Sequence, residues 1–70
     1  MGSKPGGRET HHDAGREVYF EFVAIGRAVK VTAIDSRTAL EVSAVGPSTA
    51  SQADLRQLAL QKLKRRLERQ

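Results

Sequence analysis

The sequence has no cysteine and no tryptophan, and only one tyrosine and two phenylalanines among its 70 residues. Without cysteine there is neither a disulfide framework nor a thiolate metal site. A reducing compartment fits that composition, and a cytoplasmic location is the expectation. No apolar run approaches the roughly 18 residues of a membrane span. The N-terminus lacks a charged-then-apolar signal peptide, so no membrane partner is expected. Histidine is absent beyond His12, so residues 16–70 lack the commonest general base and the strongest nucleophile. Gly6-Gly7 has no strand before it and no helix after it, so no phosphate-cradling loop is implied. No enzyme activity and no cofactor is expected.

Residues 1–15 hold four of the six glycines and one of the two prolines, with no large apolar residue after Met1. Such a segment cannot bury enough surface to offset its ordering entropy. A disordered tail is expected over 1–15, followed by a single small domain over 16–70. His11 and His12, next to Asp13, sit in that tail. Adjacent side chains on a mobile chain lack the fixed geometry and supporting shell of a selective metal site, so no metal is assigned to them.

What is present is period-two alternation. Val18, Phe20, Phe22 and Ala24 oppose Glu17, Tyr19, Glu21, Val23 and Ile25. Residues 28–34 and 39–45 alternate in the same way, with the β-branched enrichment of half-buried strands. Gly26-Arg27 suits a two-residue hairpin with glycine at the first central position, pairing Ile25 with Ala28 and Phe20 with Ala33. Asp35-Ser36-Arg37-Thr38 reads as a four-residue polar loop, pairing Ile34 with Ala39, Ala33 with Leu40 and Val31 with Val42. Both connections keep one apolar set on one face, which a one-residue slip would destroy. Gly46-Pro47 ends the third strand. Ser51 reads as a helix N-cap with Asp54 three residues on. Residues 52–68 then carry Leu55, Ala59, Leu63 and Leu67 on one stripe, widened by Leu58 and Leu60. The expected fold is α+β: a three-stranded antiparallel meander with one C-terminal helix on one face. Its core is expected to hold Val18, Phe20, Phe22, Val29, Val31, Leu40, Val42 and the alanines.

One helix leaves the other sheet face open. Tyr19, Val23, Ile25, Ile34 and Val45 point to that face, with Glu21, Thr32 and Glu41 across its middle. These five are the candidate contacts for an unknown protein partner or a second copy of the chain, aided by an edge strand. Glu21 and Glu41, about 10 Å apart across two strand spacings, approach the separation of an inverting glycosidase pair. A flat open face implies no pocket for that chemistry, so they read as solvated charge. Residues 51–70 carry six basic side chains against Asp54 and Glu68, and so hold the whole net charge of +4. Lys62, Lys64, Arg65, Arg66 and Arg69 complement the helix dipole. They supply the alternative expectation, weak nucleic-acid binding through phosphates.

The run Glu17-Val18, Phe20-Glu21-Phe22-Val23, Gly26, Val29 through Asp35, Thr38, Glu41-Val42-Ser43 and Val45-Gly46-Pro47 resembles a family of short uncharacterised proteins typical of alphaproteobacteria. The resemblance covers about residues 16–68 and implies no function, that family being a domain of unknown function. In it a glycine commonly follows the threonine of the second turn, where Ala39 stands here. The order β-β-β-α and the pattern Ala53, Leu58-Ala59, Lys62-Leu63 are also similar to the C-terminal part of double-stranded-RNA-binding domains. That family's first helix has no counterpart here, its first hairpin loop is cut to Gly26-Arg27, and its basic helix start is replaced by Ser51-Gln52-Ala53-Asp54. The similarity implies topology and no RNA-contacting residue.

Overall fold

A computed structural model describes residues 7–69. Four strands, β1 (Gly7–Asp13), β2 (Arg16–Ile25), β3 (Ala28–Asp35) and β4 (Glu41–Pro47), form one antiparallel sheet in chain order, and α1 (Gln52–Glu68) follows. The α+β class, the antiparallel sheet and the single C-terminal helix are as expected. The strand count is not: the described residues form four strands, not three. Gly7–Asp13 pairs along its length with β2, from Gly7 opposite Phe22 to Asp13 opposite Arg16, where a disordered tail was expected. Residues 1–6, the rest of that tail, lie outside the described residues.

The missed strand has a physical explanation. Its alternation is between polar residues on both faces, so it has no hydrophobic period. Its turn is formed by Ala14 (φ 50°) and Gly15 (φ 80°). Two successive left-handed residues make the tight hairpin turn usually signalled by Asn-Gly or Asp-Gly. At Gly26 the expectation holds: φ is +58° there, and Ile25 pairs with Ala28 and Phe20 with Ala33.

The β3–β4 register differs from expectation by two residues. Ala33 faces Val42, not Leu40, and Val31 faces Ala44, not Val42. The cause is Asp35, which has no exposed surface. Its Oδ2 accepts hydrogen bonds from the Thr38 backbone N–H (3.1 Å) and hydroxyl (2.8 Å), and the Arg16 guanidinium lies 3.2 Å away. The carboxylate folds the loop back on itself, so the hairpin closes between Asp35 and Leu40 (N–H to C=O, 2.9 Å). Ala39 is thereby held at φ 62°, the left-handed conformation that only glycine adopts freely. A two-residue shift keeps every side chain on its face, so the core survives the error.

Helix α1 begins where expected. Ser51 Oγ accepts from the Asp54 N–H at 3.0 Å, satisfying one of the helix's free donors. The helix packs over β3 and β4, burying Leu55, Ala59 and Leu63 against Val18, Phe20, Phe22, Val29, Val31, Ala33 and Val42. Close approach is possible because Gly46 has no side chain: a Cβ there would stand 2.5 Å from a Leu55 methyl. Three core expectations fail in part. Ala24 is exposed although its cross-strand partner Val29 is fully buried, Leu58 is 47 % exposed beside the β4 edge, and Leu40 is only partly buried.

Two outcomes follow. Ala39→Gly removes a left-handed alanine and should stabilise the fold by about 1 kcal/mol net of the extra unfolded-state entropy, read as a rise in melting temperature; a fall would show that the loop does not hold Ala39 this way. Burial pushes the Asp35 carboxyl up, but the Thr38 hydrogen bonds and the Arg16 guanidinium outweigh it and hold its pKa below the ordinary value. Because the native pKa is the lower one, the stabilisation is complete above the ordinary carboxylate value of about 3.9 and is lost as pH falls through the native pKa. Asp35→Asn should therefore cost about 1–3 kcal/mol near neutrality and flatten the acid limb of stability against pH in urea titrations.

Candidate functional site: the open face of the sheet

Strand pairing sets the side chains of the outer face in rows. Thr10, Tyr19, Ile34 and Glu41 form one row; Arg8, Glu21, Thr32 and Ser43 the next; then Val23, Lys30 and Val45; then Ile25, Ala28 and Pro47. The structure thus places all five candidate contacts on one face, opposite α1. Tyr19 and Ile34 are direct cross-strand neighbours. Val23 and Val45 flank Lys30, and Ile25 lies one row beyond. Tyr19, Val23, Ile25 and Val45 are exposed and Ile34 is half-buried.

The polar row between the two apolar patches is internally bonded. Arg8 Nε meets Glu21 Oε2 at 3.3 Å, and the hydroxyls of Thr32 and Ser43 lie 3.1 Å apart. The register shift has put Ser43, not Glu41, in this row, so Glu21 and Glu41 do not face each other across β3. The Arg8 pairing also ties Glu21 down as surface charge. A shallow depression of about 440 Å³ opens beside the Tyr19–Ile34 patch, lined by Arg8, Thr10, Glu21 and the edge of Phe20. The Tyr19 hydroxyl donates to Glu17 Oε1 at 2.6 Å. That hydrogen bond, with the nearby negative charge, raises the phenol's pKa above its ordinary value.

The inner side of β1 was invisible to sequence reasoning and is a second polar cluster. Glu9 accepts from the side chains of Gln52 and Arg56 (2.9 Å to Arg56) and meets His11 Nε2 at 2.8 Å. Burial pushes the Glu9 carboxyl up, but these partners more than offset it and its pKa is lowered. Asp13 pairs with Lys64 at 3.1 Å. The His11 ring stands edge-on to Phe20, centroids 5.6 Å apart. His11 and His12 point to opposite faces, His12 lying 4.0 Å from Glu17 on the outer side. The pair therefore builds no common ligand site, and no group of three or more metal-ligating side chains forms among the described residues.

The basic residues of α1 are dispersed by their partners. Lys62 Nζ donates to the Ser43 carbonyl on the β4 edge, and Lys64 is paired with Asp13. Arg65, Arg66 and Arg69 stay exposed. No helix of the described residues is long and apolar enough to cross a membrane.

The chain belongs to the family described as a domain of unknown function, DUF6898, whose model matches residues 15–70. The matched segment runs from the β1–β2 turn through α1 and leaves β1 outside it. No curated protein and no solved structure matches the chain.

Tyr19 is the sole tyrosine and there is no tryptophan, so its ionisation can be followed by ultraviolet absorbance without interference. Glu17→Gln removes the negative neighbour and should bring the phenol's pKa down toward about 10. An unchanged titration would mean that Tyr19 does not lie on Glu17.

Proposed function

We propose that this member of the DUF6898 family is a non-enzymatic, cytoplasmic protein-interaction domain that binds its partner through the outer sheet face. Tyr19, Val23, Ile25, Ile34 and Val45 are its contact residues. The observation that supports this most is their gathering on the one face that α1 leaves uncovered, in two patches either side of a bonded polar row. Apolar patches rimmed by polar groups mark contact surfaces more often than scattered exposed side chains do. The Arg8–Glu21 pair and the Thr32–Ser43 hydroxyls add groups that can orient a partner. The carboxylates best placed for chemistry are committed to structure: Asp35 to Thr38 and Arg16, Glu9 to Gln52, Arg56 and His11.

Nucleic-acid binding through Lys62, Lys64, Arg65, Arg66 and Arg69 has less support. Two of the five are engaged within the fold, and Tyr19, the one exposed aromatic, lies on the sheet face opposite the helix, so base stacking has no platform beside the charges.

The test is cross-linked capture from the cell of origin, with bound proteins identified by mass spectrometry. Val23→Glu and Ile34→Glu should remove the proteins that the wild-type chain captures, while an Arg65→Glu, Arg66→Glu double variant retains them. The same captured set with and without Val23→Glu would contradict the proposal. Loss in the arginine variant alone, together with RNA affinity that falls steeply with salt, would move the function to the helix.

A further inference from the structure

The two edges of the sheet differ. On β4 the Asp35–Leu40 bond and the Ser48 N–H to Arg27 C=O bond (2.8 Å) fix which residues turn their main chain inward. Leu40, Val42, Ala44 and Gly46 do so, and Glu41, Ser43 and Val45 turn theirs to the free edge. That edge is protected: Lys62 occupies the Ser43 carbonyl, and Pro47 ends the strand with no N–H to offer. On β1 the same reasoning runs through Glu17, whose carbonyl accepts from the Ser36 N–H at 3.0 Å. Glu17 therefore faces β3, and its β1 partner His12 turns its own N–H and C=O away from β2. By alternation Thr10 and Arg8 do the same. Among the described residues nothing covers these groups, and β1 has no proline, no lysine and no bulge.

We propose that β1 is a self-pairing edge: two copies of the chain join β1 to β1, antiparallel about a twofold axis at Thr10, into one continuous eight-stranded sheet. In this register no two carboxylates face each other. With Thr10 opposite Thr10, Glu9 of one copy faces His11 of the other on the inner side. Arg8 faces His12 on the outer side, each backed by its own carboxylate, Glu21 or Glu17. Sliding the strands by two residues one way sets Glu9 against Glu9; sliding the other way sets Glu9 against Asp13. Both oppose like charges, which destabilises a strand pair. The pairs Arg8–His12, Thr10–Thr10 and His12–Arg8 each exchange two main-chain hydrogen bonds. Among the described residues no helix obstructs the approach: α1 lies over β3 and β4, about 14 Å from the axis at the usual strand spacing. The dimer would double the open face without covering it, so this pairing goes beyond the outer-face reading and is separable from it.

Sedimentation of the full chain over a concentration series, with three variants, tests the pairing. Thr10→Pro removes an N–H that β2 does not use, a substitution tolerated at a solvent-facing edge position. The wild-type chain should dimerise, and Thr10→Pro should stay folded by circular dichroism while weakening the dimer more than tenfold. Thr10→Cys, in a chain with no other cysteine, should form a disulfide-linked dimer on mild oxidation, because directly opposed residues lie within disulfide reach, about 5.5 Å between Cα atoms. Val23→Glu should leave the dimer intact. A chain that stays monomeric throughout, or a Thr10→Cys variant that does not cross-link, would overturn the proposal. So would a dimer kept in Thr10→Pro and lost in Val23→Glu, which would instead be a face-to-face stack.

Discussion

A single helix can cover only one face of a sheet, and that constraint governs the rest of this molecule. β2, β3 and β4 each send an alternating apolar set to the side where Leu55, Ala59 and Leu63 arrive, and whatever points the other way stays at the surface. The sheet parity that builds the core therefore also builds the open face. Val18, Phe20 and Phe22 go inward; Tyr19, Val23 and Ile25, interleaved with them, go outward. An ordinary solvated face would carry polar residues at those places. That this one carries a tyrosine and three exposed β-branched residues is why the functional proposal rests on it.

The inner face has its own asymmetry. Over β3 and β4 the cover is apolar, with Gly46 letting Leu55 close against the sheet. Over β1 and β2 the helix reaches the sheet with long polar side chains: Gln52 and Arg56 to Glu9, and Lys64 to Asp13. These partly exposed pairs contribute modestly each. Together with the His11 ring against Phe20 they hold in place a strand with almost no hydrophobic content. The same polar contacts draw two of the helix's cations away from any phosphate-binding patch.

Much of this was legible in the chain. The hydrophobic period located β2, β3 and β4, the Ser51 cap located the start of α1, and parity alone assigned the five outer-face residues to their side. What escaped depended on polar side chains acting at a distance. β1 has alternation without hydrophobicity, and its turn uses Ala14-Gly15 where a stronger signal would be Asn-Gly. The β3–β4 register turned on a buried carboxylate, Asp35, whose hold on Thr38 moves the closing pair by two residues without moving any side chain to the other face. Ala39 shows how local cost is overruled: an alanine sits left-handed because Asp35 and Thr38 fix the loop around it.

Amide hydrogen exchange along β1, followed by NMR at several protein concentrations, tests the central claim most directly. That claim is a polar fourth strand bonded to β2 on one side and offering an unprotected edge on the other. The account predicts alternation in dilute solution: the Glu9 and His11 amides are slow because they bond to Phe20 and Val18, and those of Arg8, Thr10 and His12 are fast. The Thr10 amide should then slow as concentration rises. Uniformly fast exchange from Gly7 to Asp13 at every concentration would contradict it, returning β1 to an unpaired tail and leaving the sheet with three strands.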